Sequence, residues 1–356
     1  MSQNNSFEQA PAQPEEDPGS LDGAGFSPYI GMIEPARTFA LDENAGRTDS
    51  AGESESQSAP LFPDRFTSAE PPERLLFQSF AQPEAVTPAR IPHLGHLALL
   101  MAFASIGLLG SMLVVLAGLR FHLFGVATMD QAKDDIHYSL GSTAALYLIT
   151  FAVSLFVFPV VWRKGFFAGI HWNGSAALRL RWRLFGGGCL CFLLAMLDEV
   201  LIPSPGKAPI DEMFRSPGAA WMMLVFGITL APFFEEIAFR GFLLPALATA
   251  WDWAIEQNIG RPARPLDAEG HPQWSVFAMV VASIFTSVPF AAMHADQQGY
   301  ALGPFLLLVA ISLVLCAVRL RTRSVAASVL VHASYNFLLF SLMLLGTGGF
   351  RHLDKM

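Results

Sequence analysis

Three short patterns in the apolar part of the chain carry groups that could do chemistry: Glu235-Glu236-Ile-Ala-Phe-Arg240, Phe290-Ala-Ala-Met-His294 and His332-Ala-Ser-Tyr-Asn336. Glu236 and Arg240 stand at i and i+4, where a carboxylate and a guanidinium meet on one helix face. That pairing neutralises one acid and leaves Glu235, about 100° around the helix, free to act as a general base or acid. Phe290 lies one turn before His294 and would wall a pocket or hold its ring. His332 and Asn336 share a face, and together an imidazole and an amide can donate two hydrogen bonds to an oxyanion. The set offers a base in Glu235, a second water-holding group in His294, and two donors in His332 and Asn336. No Ser or Cys is paired with a base, so attack by an activated water on an acyl carbon is the economical chemistry.

Each group also has a bland reading. A lone buried His packs or bridges, and a Glu–Arg pair can be purely structural. What joins them is cost: an ionised side chain inside a bilayer is unfavourable by about 2.5 kcal/mol or more on insertion scales. Several such groups in separate apolar segments read as a site.

Stretches of about 20 apolar residues cross about 30 Å of hydrocarbon as helices, which satisfy their own backbone. Seven such spans are expected at 96–119, 140–162, 184–203, 219–247, 274–294, 303–319 and 325–346. The third is the weakest, with Gly186-Gly187-Gly188 at its start and Asp198-Glu199 near its end. The fourth is the longest and is expected to bend or break near Pro232. The fold class expected is an all-α polytopic membrane protein, a bundle of about seven helices within 91–350.

Composition supports that division. The 356 residues are 53% hydrophobic and 15% charged, more apolar and less charged than a soluble domain. Residues 1–90 hold 15 acids and 5 bases, whereas the remainder holds 15 acids and 17 bases. The acidic balance therefore belongs to the first segment, and nothing in it suits nucleic acid. Rich in Gln, Glu, Pro, Ser and Gly, residues 1–90 are expected to form a disordered tail able to recruit a cytosolic partner. Cys189, Cys191 and Cys316 all fall in spans, an odd set that reads as small buried residues.

Short loops at 163–183 and 319–323 carry Arg163, Lys164, Arg179, Arg181, Arg183 and Arg319, Arg321, Arg323. Placing them inside puts the N-terminal tail in the cytoplasm. This arrangement leaves a conflict: Glu235 and His332 lie toward the inner ends of their spans, and His294 toward an outer end. A shared site requires a shifted boundary or a re-entrant segment near 235–256. His96, His122, His137, His171, His271 and His352 fall in loops or at span edges and receive no role.

The three patterns resemble the CPBP intramembrane proteases, which include the CAAX prenyl endopeptidases and bacterial bacteriocin-processing and immunity proteins. Their EExxxR, FxxxH and Hxxx(N/D) motifs are matched by Glu235-Glu236-xxx-Arg240, Phe290-xxx-His294 and His332-xxx-Asn336, within about 219–346. The resemblance implies a glutamic-type intramembrane endopeptidase of a bacterial inner membrane. Glu235 and His294 would activate water, His332 and Asn336 would form the oxyanion hole, and Glu236 and Arg240 would support the site, with Glu236 sharing in catalysis. The implied partners are the bilayer and a small or membrane-tethered peptide substrate. No cofactor is expected, zinc being the minority alternative given two His and a Glu. The competing class is a non-catalytic membrane scaffold or regulator that uses the same polar cluster for binding. A proton-coupled transporter finds no support in inverted repeats of hydropathy.

Overall fold

The computed structural model describes residues 90–202, 209–214, 216–267 and 270–353. The expected tail at 1–90 lies outside the described residues except for Arg90. Twelve helices are used below: α1 Leu94–Arg120, α2 Met129–Asp134, α3 Ile136–Trp162, α4 Phe166–Gly169, α5 Gly174–Arg179, α6 Arg181–Leu201, α7 Pro217–Ile228, α8 Leu230–Glu236, α9 Leu244–Ile259, α10 Val276–Met293, α11 Leu302–Thr322 and α12 Val325–Gly346. A π-helical turn, Ile237–Leu243, joins α8 to α9. No strand forms among the described residues; Leu266 and Pro272 make an isolated antiparallel bridge.

Among the described residues, seven helical segments are long and apolar enough to cross a membrane: α1, α3, α6, the run Pro217–Ile259, α10, α11 and α12. All seven expected spans are present, and their outward faces are greasy, as at Leu109, Phe156, Val160 and Phe285. Apolar residues facing outward all round a bundle are what a hydrocarbon solvent selects.

Local chemistry sets where the site-bearing helices begin. Ser216, Ser275 and Ser324 cap α7, α10 and α12, each accepting from the backbone N–H of the third helical residue. Such caps satisfy donors that the first turn leaves open. Pro217 follows its cap at the first helical position, where a missing N–H costs nothing.

The fourth span is the irregular one. It runs to Ile259 rather than ending near 247, and a straight helix of that length would extend about 1.5 Å per residue, far beyond the hydrocarbon. The helix breaks at Thr229, which adopts φ −120° and ψ −77°. Pro232 lies three residues on; its ring crowds the Ile228 carbonyl and supplies no N–H to it. The expected break near Pro232 is therefore present, displaced one turn toward the N-terminus.

Glycine explains the third span. A Cβ on Gly188 would lie 2.6 Å from Ser334 Cβ and 3.1 Å from the Tyr335 nitrogen. The glycine lets α6 approach α12 backbone to side chain, the small-residue packing that membrane helices use. Cys191 is buried in the core formed there, with Leu184, Leu315, Val331 and Tyr335; all three cysteines are free.

The two basic loops meet at one end of the bundle. The Ser324 hydroxyl donates to the Asn173 carbonyl (2.9 Å), and the Val325 N–H donates to the His171 carbonyl (3.2 Å). Five of the expected loop cations lie within helices, Arg179 in α5, Arg181 and Arg183 in α6, and Arg319 and Arg321 in α11, and Arg319 is only 1% exposed.

Candidate active site

The break at Thr229 and the π turn bracket the two acids of the first motif, so Glu235 and Glu236 sit at the end of α8 and Arg240 within the π turn, deep in the bundle. Both carboxylates are buried, Glu236 and Arg240 completely. Arg240 Nη1 donates to Glu236 Oε1 at 2.8 Å, and Nη2 donates to the Ser312 hydroxyl (2.6 Å) and carbonyl (3.1 Å) on α11. The Phe290 ring lies 4.6 Å below the guanidinium carbon, a cation–π contact that is strengthened away from water.

The second motif ends α10. The amide N–H of His294 bonds back to the Ala291 carbonyl, so the Phe290 carbonyl has lost its next helical donor. The His294 ring takes it, Nδ1 to the Phe290 oxygen at 2.9 Å. A carbonyl only accepts, so Nδ1 carries the proton and Nε2 of the neutral ring presents a lone pair. That Nε2 stands 3.9 Å from Glu235 Oε1.

The third motif approaches from α12. His332 Nδ1 donates to Glu236 Oε1 at 3.0 Å, which turns its Nε2 toward Glu235 Oε2 at 3.9 Å. The same Glu236 oxygen thus holds Arg240 and His332 together. Glu235 stands between two imidazole nitrogens, each beyond direct hydrogen-bond range but within reach through one water.

The structure therefore brings together Glu235, Glu236, Arg240, Phe290, His294 and His332. Asn336 is differently engaged. Its Nδ2 donates to the Gly227 carbonyl at 2.7 Å, one of the last carbonyls of α7, which have no helical partner. The boundary conflict also dissolves: the fourth span extends past Glu235 by more than twenty residues, so Glu235 lies mid-span beside the end of α10.

Tyr147 of α3 was not singled out by sequence reasoning. Its hydroxyl interacts with the Glu235 carboxylate, and its ring lies 5.1 Å from that of Phe234. A tyrosine in an apolar span carries no spacing signal that separates it from ordinary packing. Tyr147, Leu100, Phe151, Phe239 and Met293 line an apolar cavity of about 160 Å³ that includes Glu235. A larger cavity of about 590 Å³ holds none of the motif residues, being lined by Arg90, Trp253, Glu256 and Arg264 among others. Among the described residues, no group of three or more His, Cys, Asp or Glu side chains is disposed to hold a metal ion.

Residues 217–338 match the family described as type II CAAX prenyl endopeptidase Rce1-like. That stretch is similar to the Rce1-like family. The match begins at the first residue of α7 and ends two residues past Asn336, so it encloses all three motifs. The Rce1-like family is a protease family, which supports a CAAX-type intramembrane protease. No curated protein and no solved structure matches the chain.

Proposed function

We propose that the protein is an intramembrane endopeptidase that hydrolyses peptide bonds with a water activated by Glu235 and His294. The observation that carries this reading is the disposition of Glu235, with its two carboxylate oxygens each 3.9 Å from an imidazole Nε2. A water bridging Glu235 and His294 gives one proton to the Glu235 carboxylate and one hydrogen bond to the His294 lone pair. Its oxygen forms a bond to the scissile carbonyl carbon, whose π electrons move onto oxygen. The C–N bond then breaks, and the proton held by Glu235 goes to the departing amine.

His332 and Asn336 serve the oxyanion. Asn336 spends one of its two amide hydrogens on Gly227 and keeps the second for the developing charge. His332, held at Nδ1 by the Glu236 carboxylate, donates to the oxyanion through Nε2 when its ring carries both protons. Glu236 and Arg240 fix His332, and Glu236 shares in catalysis through it. The substrate is a small or membrane-tethered peptide that places an apolar group in the cavity beside Glu235 and Tyr147. The protein is multi-pass in the cell membrane, with the basic loops and the N-terminal tail on the cytoplasmic side of a bacterial inner membrane.

The test is cleavage of a panel of tagged, membrane-tethered peptides by the purified protein in lipid. Wild type, Glu235→Gln and His294→Ala run in parallel, with and without a zinc chelator. Cleavage lost in both variants and unaffected by chelator is expected. Chelator-sensitive cleavage would move the chemistry to a metal, and a folded wild type inactive on the whole panel would favour a scaffold.

A further inference from the structure

The end of the bundle that carries the basic loops gathers charges that peptide hydrolysis does not use. Arg319 is buried in α11, and its guanidinium donates from Nε to the Arg240 carbonyl (3.2 Å) and from Nη2 to His171 Nδ1 (2.9 Å). Both acceptors are neutral, and among the described residues no carboxylate pairs with Arg319. A buried cation without a counter-charge is expensive unless an anion joins it.

His171 gives that anion a partner. A guanidinium only donates, so Nδ1 of His171 must accept and the neutral ring carries its proton on Nε2. His171 is 6% exposed, and its Nε2 is buried with no hydrogen-bond partner. Burial first, then the charges of Arg319, His271, Lys164 and Arg323, hold this imidazole well below its usual range. The ring therefore stays neutral and its Nε2–H remains a donor waiting for an acceptor.

Space and charge accompany the donor. Two cavities, of about 490 and 340 Å³, share His171, His271 and Arg323; Lys164 lines the first and Arg319 the second. Three fixed cations, Lys164, Arg319 and Arg323, face these cavities. Asp267 accepts from Arg323 Nη1 at 2.6 Å and from the His271 backbone N–H at 2.7 Å, and its Oδ2 lies 3.4 Å from His271 Nδ1.

We propose that this is a binding site for a phosphate oxyanion, carried on the headgroup of an anionic phospholipid. Lys164 follows the end of α3 and Arg323 caps the end of α11, so the cavities open at the level where headgroups lie. Trp172 and Trp274 line them, in keeping with the aromatic preference for that level. Basic pockets between spans at such a surface suit anionic headgroups. Occupancy would also bear on the π turn, since Arg319 holds the carbonyl of Arg240.

The full-length protein in neutral detergent is titrated with short-chain phosphatidylglycerol, short-chain phosphatidylcholine or inorganic phosphate. Bound mass is followed by native mass spectrometry and thermal unfolding by tryptophan emission. A saturable phosphatidylglycerol adduct that raises Tm is expected, with no effect of phosphatidylcholine. Lys164→Gln should weaken that binding about fivefold, and Lys164→Gln with Arg323→Gln about twenty-fivefold. Arg321→Gln, exposed and outside both cavities, should leave it unchanged. Inorganic phosphate binding as tightly as the lipid would keep the oxyanion site and overturn the lipid as its source. Absence of saturable binding to folded wild type, or unchanged affinity in Lys164→Gln, would overturn the proposal.

Discussion

Glu235→Gln and Glu236→Gln make one chemical change at adjacent positions, and the geometry assigns them opposite consequences. Glu236 Oε1 accepts from Arg240 Nη1 at 2.8 Å and from His332 Nδ1 at 3.0 Å, with both Glu236 and Arg240 at 0% exposure. Removing the acid leaves a buried guanidinium without its counter-charge, a one-sided loss that costs about 3–5 kcal/mol. Arg240 keeps both Ser312 contacts and the new amide oxygen still accepts, so the low end, about 3 kcal/mol, applies. Glu235 meets its imidazole neighbours at 3.9 Å, and losing contacts at that separation should cost at most about 1 kcal/mol. Loss of a general base lowers turnover about 10²–10⁴-fold. The assay is equilibrium unfolding in mixed micelles as the dodecyl sulfate fraction rises, read by tryptophan emission, alongside cleavage of a membrane-tethered reporter. Glu235→Gln should be stable and inactive, whereas Glu236→Gln should unfold early. The reasoning is wrong if Glu236→Gln unfolds within about 0.5 kcal/mol of wild type, or if Glu235→Gln is the destabilised variant.

Arg240→Met should destabilise by about 3–4 kcal/mol, and combining it with Glu236→Gln should cost at least about 2 kcal/mol less than the sum of the two; additive unfolding energies would show that the pair is not coupled. Asn336→Ala strips the Gly227 carbonyl of its donor, so amide exchange around 227–233 should accelerate with a loss of about 1–3 kcal/mol. If Asn336 also serves the oxyanion, kcat should fall about 10²–10³-fold with KM little changed. Phe290→Leu removes the ring under Arg240 and should lower stability by about 1–2 kcal/mol, measured in the same unfolding assay.

The spans were legible because hydrocarbon imposes a length and a composition on each of them, and the motif residues because their burial is costly in that solvent. Glu236–Arg240 was legible for a further reason: it is a local pair whose spacing alone puts it on one face. What could not be read were contacts made by fold rather than by spacing. Asn336 reaches Gly227 across 109 positions, and Arg319 reaches His171 across 148. Charge alone makes Arg319 read as a loop cation, because its partner lies far off in sequence, and a loop histidine such as His171 has no periodicity to mark it. Pro232 marks the break in the sequence, but it acts on the turn preceding it, so the break itself falls at Thr229.

These unread contacts share a physical cause. Backbone that leaves the regular helix at membrane depth must find partners in the protein, and here side chains of the site provide them. Pro245 supplies no N–H, and the Leu244 N–H goes to Phe239, so the Arg240 carbonyl has no backbone donor within the π turn; Arg319 caps it. The His294 ring caps Phe290 at the end of α10, and Asn336 caps Gly227 beside the break. The irregular backbone that opens room around Glu235 is thus held by the residues that surround it. Substitution of His294, Asn336 or Arg319 consequently changes backbone satisfaction and local chemistry together, and a loss of activity there has two causes. Glu235 caps no backbone group, and an amide oxygen there can still accept from the Tyr147 hydroxyl, so an isosteric change at Glu235 reads chiefly on the chemistry.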